Sequence, residues 1–324
     1  MSQLSEDDLI ARYFAPLAGP AALGLRDDAA LLSPPAGCEL VLTVDGLVAN
    51  VHFFADDPPD AIAKKALRVN ISDLAAKGAR PLGFLLTLAL PVDWRAEWLE
   101  RFAQGLGADA RRYGCPLLGG DTVSTPGPLT LSITAVGAVA AGRMVARTGV
   151  RAGDLFYVSG TIGDAALGLA LRSGSSGGAG ADEAFLLDRY LLPQPRLDLA
   201  PALRDCASGA MDVSDGLVGD LTKMARVSGV SAEIDVARVP LSPAAARLIS
   251  AQPDLLQKAM TGGDDYEILA SVPSDAAAAF EAAATAAGVP VTQIGVACTG
   301  VEAPTFRDRR GEPMHFPTGS YRHF

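Results

Sequence analysis

The chain has 324 residues, 49% of them hydrophobic, and carries 27 basic against 37 acidic residues for a net charge of −10. That is apolar material for roughly two domains and excludes a disordered chain, while the acidic balance excludes the basic stripe of a nucleic-acid-binding surface. The same charge sets a problem for phosphate chemistry, because an acidic protein repels phosphates unless cations stand between them.

The opening residues MSQLSEDDLI are acidic where a signal peptide needs a basic start and an apolar stretch. No apolar run approaches the roughly 18–20 residues of a membrane span. A cytoplasmic protein is therefore expected, with no membrane and no nucleic-acid partner. Four cysteines (Cys38, Cys115, Cys206, Cys298) lie far apart without a CxxC pair, as expected of ordinary thiols in a reducing compartment.

Residues 39–44 (ELVLTV) are apolar and rich in β-branched side chains and predict a strand, as do FLLTLAL (84–90) and 129–140. Residues 58–81 predict a helix, started by Pro58–Pro59–Asp60 and stopped by Gly78 and Pro81. A second helix is predicted over 94–114, with Trp94 and Trp98 in its core. A domain boundary is expected near residue 140, giving an N-terminal domain over 1–140 and a C-terminal domain over 141–324. Beyond it, LFYVSG begins a strand and SGSSGGAGAD (173–182) reads as a loop inside the second domain. GAMDVS ends a strand and 215–229 predicts a helix. YEILASVP (266–273) predicts another strand, and 274–288 an alanine-rich helix capped by Ser274 or Asp275. The tail 300–324 reads as irregular.

The familiar phosphate motifs are absent. There is no GxxxxGK[ST] loop, and the GxGxxA match at Gly105, Gly107 and Ala110 falls inside a predicted helix, not after a strand. What the chain has instead is a series of aspartates, many beside glycine. They are Asp27–Asp28, Asp45, Asp73, Asp121, Asp212 with Asp215, and Asp264–Asp265. Carboxylates at element ends suit magnesium, which takes one or two of them and shares the substrate's phosphate oxygens. Glycine beside the carboxylate lets backbone and phosphate approach closely. Asp-Gly is also an ordinary turn signal, and Asp60 and Asp154 are read as only that. Helical spacing puts Asn70, Asp73 and Lys77 on one face. In DVSDGL, Ser214 or Asp215 is placed to cap the following helix, whose N-terminus suits phosphate. Capping does not require Asp212 as well.

Taken in order, VNISDLAAKGARP, LLGGDT, MDVSDGL and GGDDYE resemble the signature of the thiamine-monophosphate kinase family, over a stretch from SEDDLIARYF near residue 5 to Tyr321. The resemblance implies an α+β and α/β chain with the two-domain aminoimidazole ribonucleotide synthetase-like fold. Its N-terminal domain binds ATP and metal and pairs in a homodimer, and its C-terminal domain is an α/β sandwich. The implied reaction is transfer from ATP to thiamine phosphate, giving ADP and thiamine diphosphate, with several Mg²⁺ ions. Implied metal ligands are Asp28, Thr43, Asp45, Asp73, Asp121, Asp212 and Asp215. Implied ATP contacts are Gly120, Asp121, Arg147 and Ser214, and implied thiamine phosphate contacts are His52, Asp264 and Tyr321. The chain departs from the family pattern at Arg26, where glycine is usual, at Val44 in place of threonine, and at Asp264 in place of glutamate.

The attacking phosphate oxygen is already anionic near neutral pH, so no general base is expected, which suits a chain with only three histidines. Charge is the main obstacle, and metal ions held by the aspartates would neutralise it. Two rival readings are another ATP-using synthetase of the same superfamily and a non-catalytic protein that binds nucleotide or thiamine phosphate. So many like charges kept together argue against a mere binder.

Overall fold

The computed structural model describes residues 5–174, 180–317 and 319–320. The chain divides into two compact units, one of residues up to Leu74 with Ala79–Gly142, the other of Ala75–Gly78 with the residues from Arg143 onward.

The first unit begins with a short helix α1 (Glu6–Leu9) that runs on as single turns to Leu25. Leu23 and Leu25 take left-handed backbone conformations (φ 51° and 54°) on either side of Gly24, so the chain is bent sharply just ahead of Arg26. There follow β1 (Cys38–Val48), α2 (Pro59–Ala76), β2 (Arg80–Pro91), α3 (Ala96–Arg112), β3 (Leu117–Thr125) and β4 (Thr130–Ala140). The four strands form one sheet in the order β1-β4-β2-β3, antiparallel except for the β2–β3 pair. The stretch LLGGDT, for which no element is predicted above, is thus strand. Gly120 explains it: a Cβ there would lie 1.9 Å from the Leu86 carbonyl oxygen. The glycine beside Asp121 makes room for the neighbouring strand.

A strand alternates its side chains between faces, and β1 shows the result. Val41 and Leu47 are buried on one face, and Leu40, Leu42 and Val44 are exposed on the other. The buried side of β2 and β4 carries Phe84, Leu86, Leu88, Leu131, Ile133 and Ala135. α3 buries Leu99, Phe102 and Leu106, while Trp94 precedes that helix and Trp98 is only half-buried, stacked on Phe102. Asn70 of α2 is fully buried and Asp73 half-buried. Arg68 of α2 and Asp109 of α3 form a buried two-bond ion pair, Nε–Oδ2 at 2.5 Å and Nη2–Oδ1 at 3.1 Å.

The second unit contains β5 (Leu155–Ser159), α4 (Asp164–Ser173), α5 (Ala181–Leu191), α6 (Ala200–Cys206), β6 (Gly209–Val213), α7 (Leu217–Ser228) and β7 (Ser231–Asp235). These are followed by α8 (Pro243–Ala251), α9 (Leu255–Thr261), β8 (Glu267–Val272), α10 (Ala277–Ala286), β9 (Val291–Cys298), β10 (Thr305–Arg307) and β11 (Pro313–Met314). The seven strands lie in the order β11-β10-β7-β9-β5-β8-β6. The tail is therefore not wholly irregular: it adds two short edge strands. Alternation again sorts the core. Phe156, Val158, Met211, Val213 and Leu269 pack with Leu217, Leu221 and Met224 of α7, whereas Tyr157, Ala210, Ile268 and Val272 pack with Leu203 of α6 and Phe280 of α10. A sheet covered on both faces reads as continuous apolar strands, which is how β5, β6 and β8 read. α10 starts at Ala277 without a side-chain cap, so neither Ser274 nor Asp275 caps it. Among the described residues, no helix is long and apolar enough to cross a membrane, and all four cysteines are free thiols.

Candidate functional site

In the first unit the period-two pattern of β1 turns Thr43 and Asp45 to the same side as Val41 and Leu47, the side that holds the core. The Thr43 hydroxyl donates to the Asp73 carboxylate of α2. The Asp45 carboxyl is pushed up to about 6, first by burial and then by the charge of Asp73. A hydroxyl and a carboxylate are thus joined, with the Asp45 carboxyl near enough to feel the Asp73 charge, and a cation shared by the two anions would relieve both. Asp45 sits within a strand, not at its end, and so does Asp121.

Asp121 stands elsewhere in the same unit. The register runs Gly46–Ser132–Thr87–Asp121 across the sheet, so Asp121 points to the face opposite Asp45. There a cavity of about 730 Å³ is lined by Asp27, Asp28, Leu85, Thr87, Gly120 and Asp121, among others, with Phe14 of the N-terminal segment closing one side. The sequence-derived ligands Asp28, Gly120 and Asp121 therefore share one cavity, and Thr43, Asp45 and Asp73 share another place. His52 follows β1 in a turn where Asn50 has φ 65°. The Val48 amide donates to its Nδ1 at 3.0 Å, so the neutral imidazole carries its proton on Nε2.

In the second unit, Asp212 is buried in β6 and Ser214 and Asp215 lie half-buried in the turn after it. Neither of those two caps α7. The helix starts after Gly216, which has φ 112° and whose Cβ would meet the Thr261 backbone at 2.6 Å. The residue that holds the turn is Asp220, which the sequence reading missed. Its fully buried carboxylate accepts the amides of Ser214 at 3.0 Å and Asp215 at 2.9 Å through Oδ2. Its Oδ1 accepts from Lys223 Nζ at 3.0 Å, and the same ammonium bonds Asp215. Burial alone would lower the Lys223 pKa, but the two carboxylates overrule it and the pKa is raised. An aspartate four residues inside the helix, followed by lysine at i+3, was the available signal.

The same turn fixes the segment of Asp264. The Asp264 amide donates to the Ser214 carbonyl at 2.9 Å and the Tyr266 amide to the Val213 carbonyl at 2.8 Å. Asp264 itself has φ 77°. Asp265, with which the sequence paired it, points away: its fully buried carboxylate accepts the amides of Gly163 at 2.7 Å and Ala165 at 3.2 Å at the start of α4. Burial holds its pKa well above the carboxylate range. Asp154 is more than a turn residue, accepting from the hydroxyls of Ser208 at 2.5 Å and Ser271 at 3.0 Å. Arg147 is exposed in a single turn before β5. Tyr321 lies outside the described residues.

Among the described residues, no three His, Cys, Asp or Glu side chains form a ready metal cage. Magnesium carried on a nucleotide needs only one or two carboxylates, the remaining oxygens coming from phosphate and water, and the Asp45–Asp73 pair has the donor chemistry for that.

The description "AIR synthase related protein, N-terminal domain" matches residues 26–139, and "AIR synthase related protein, C-terminal domain" matches residues 151–303. The thiamine-monophosphate kinase of Caulobacter vibrioides is 44% identical over 296 residues, covering 90% of this chain and 83% of that one. The crystal structure of thiamine-monophosphate kinase from Stenotrophomonas maltophilia K279a superposes with a TM-score of 0.83 at 38% identity, covering 95% of this chain and 96% of that chain. The structure of AaThiL complexed with AMPPCP and TMP superposes with a TM-score of 0.79 at 30% identity, covering 100% of this chain and 99% of that chain. With both domains matched and carboxylate clusters in each unit, the chain belongs to the thiamine-monophosphate kinase family.

Proposed function

We propose that this protein transfers the terminal phosphoryl group of ATP to thiamine phosphate, giving thiamine diphosphate and ADP. The observation that carries the reading is the Asp45–Asp73 pair: the Thr43 hydroxyl donates to Asp73, and burial together with the Asp73 charge raises the Asp45 carboxyl to about 6. A relative complexed with AMPPCP and TMP supports the choice of substrates. The proposed metal ligands are Thr43, Asp45 and Asp73 on one face of the first unit, Asp28 and Asp121 on the other, and Asp212 and Asp215 in the second unit. Bound there, Mg²⁺ ions would offset the charge of two phosphate chains and polarise the transferred group.

The chain's own residues do the rest. Asp45 and Asp73 are pre-set by the strand and helix that carry them, so no reorganisation is needed when a cation arrives. Gly120 with Asp121, Arg147 and Ser214 are assigned to ATP. Arg147 brings a permanent positive charge, and the Ser214 turn is fixed in place by Asp220. His52, Asp264 and Tyr321 are assigned to thiamine phosphate. The His52 ring is held by the Val48 amide, and no residue is assigned as a general base.

We assign residues 1–140 to ATP and metal binding and to dimerisation, residues 141–324 to the α/β domain, and the protein to the cytoplasm as a homodimer. One observation supports the dimer. Leu42 and Val44 are 64% and 62% exposed in a row with Leu40 on an outer strand, an apolar strip that a second copy would cover.

The test is to incubate the protein with ATP, Mg²⁺ and thiamine phosphate and to look for thiamine diphosphate by chromatography, with free thiamine as a control. Folded protein that binds ATP and forms no product would sink the kinase reading.

A further inference from the structure

Lys223 has no place in the phosphoryl transfer described above, yet its ammonium bonds two carboxylates at once, Asp215 and Asp220. The two are not equivalent. Asp220 is fully buried, and both its oxygens are engaged, one by the Ser214 and Asp215 amides and the other by Lys223. Such a carboxylate cannot give up its cation without standing uncompensated in the interior. The Asp215 side chain is 37% exposed and that of Lys223 33%, so the Asp215 end of the bridge opens to solvent and can exchange one cation for another.

We propose that Lys223 is a positioning residue that serves as the resident counter-ion of Asp215, anchored by Asp220, and that it makes Asp215 take up metal with nucleotide in preference to free metal. The inference rests on the reading of Asp215 as a metal ligand. With no metal present, the ammonium holds the Asp215 carboxylate in a fixed orientation. A divalent cation arriving alone meets that ammonium at close range and is repelled. A cation arriving on a polyphosphate brings anionic oxygens that offset the repulsion, and Lys223 stays with Asp220 while Asp215 changes partner.

The experiment is an equilibrium titration with Mn²⁺, read from the spin-resonance signal of free Mn²⁺, with and without a non-hydrolysable ATP analogue. It is run on the full-length protein and on Lys223→Met, Lys223→Arg and Asp215→Asn. Lys223→Met is expected to bind Mn²⁺ alone at least about tenfold more tightly than the unaltered protein, the Coulomb penalty having gone. The gain in affinity brought by the analogue should shrink by the same factor. Lys223→Arg, which keeps the charge, should behave like the unaltered protein, and Asp215→Asn should weaken Mn²⁺ binding. If Asp215→Asn weakens binding while Lys223→Met leaves the affinity for Mn²⁺ alone unchanged or lower, the counter-ion role is overturned and the ligand reading stands. If Asp215→Asn alters no Mn²⁺ binding event under either condition, the ligand reading has failed and takes the proposal with it. Should Lys223→Met not give the native circular dichroism spectrum, Lys223→Gln, which keeps a donor for Asp220, takes its place under the same criteria.

Discussion

Asp45 and Asp121 belong to one four-stranded sheet but lie on opposite faces of it, with β4 and β2 between their strands. The difference in setting gives them different signatures. Burial and then the charge of Asp73 raise the Asp45 carboxyl to about 6, whereas Asp121 is exposed at the cavity wall.

The first prediction follows from the sign of that shift. A carboxyl raised in the folded protein contributes stability that is complete below its unfolded value of 3.8 and is lost as pH rises through about 6. At neutral pH without metal, the Asp45 charge therefore destabilises the fold by about 2–3 kcal/mol. Asp45→Asn is expected to raise the midpoint of thermal unfolding by about 5 °C at pH 7.5 in chelator, with the gain fading towards pH 4. A loss of stability at pH 7.5 would contradict this account. Turnover should fall by about a hundredfold or more.

Asp121→Asn supplies the contrast. Because its carboxylate is exposed, removing the charge should leave ligand-free stability within about 0.5 kcal/mol of the unaltered protein. Turnover should nevertheless drop steeply in the thiamine phosphate assay. Unchanged turnover would remove Asp121 from the site.

Asp220→Ala leaves two backbone amides and the Lys223 ammonium without their buried acceptor. The expected cost is about 3–5 kcal/mol in urea unfolding. Asp220→Asn, which keeps an oxygen for the Ser214 and Asp215 amides, should cost clearly less. Equal losses in the two variants would mean that the amide contacts contribute little.

Leu42→Glu places a charge in the exposed apolar strip of β1. The unaltered protein is expected to run as a dimer in light scattering at micromolar concentration. The variant should shift to the monomer mass while keeping its circular dichroism spectrum. A variant that stays dimeric would move the interface away from this strand.

Much of the fold was legible because it rests on local signals. The apolar runs at 39–44 and 84–90 lie within β1 and β2, the run at 129–140 covers β4, and the helix start near Pro59 carries ordinary boundary residues. β3 was hidden because two adjacent glycines look like a turn when the strand beside them is out of view; only the Leu86 carbonyl shows why they are there. In the site, the aspartates could be picked out as residue types, but not sorted. Whether Asp45 faces Asp73 or Asp121 depends on strand order and register, which act over tens of residues. Asp264 and Asp265 are neighbours with opposite fates, one in the turn beside Ser214 and one buried at the start of α4. Asp220 was missed because capping rules favour the residues nearest the helix start, and Gly216 stands in the way.

The backbone at Asp264 gives the shorter side chain there a meaning of its own. With φ at 77°, this position is one where aspartate and asparagine are accepted more readily than longer side chains. The glutamate that the family resemblance implies there would gain a methylene of reach in a backbone conformation that suits the shorter side chain better. The shorter aspartate keeps its carboxylate one methylene nearer the backbone, so under the proposed function thiamine phosphate would lie closer to the turn itself.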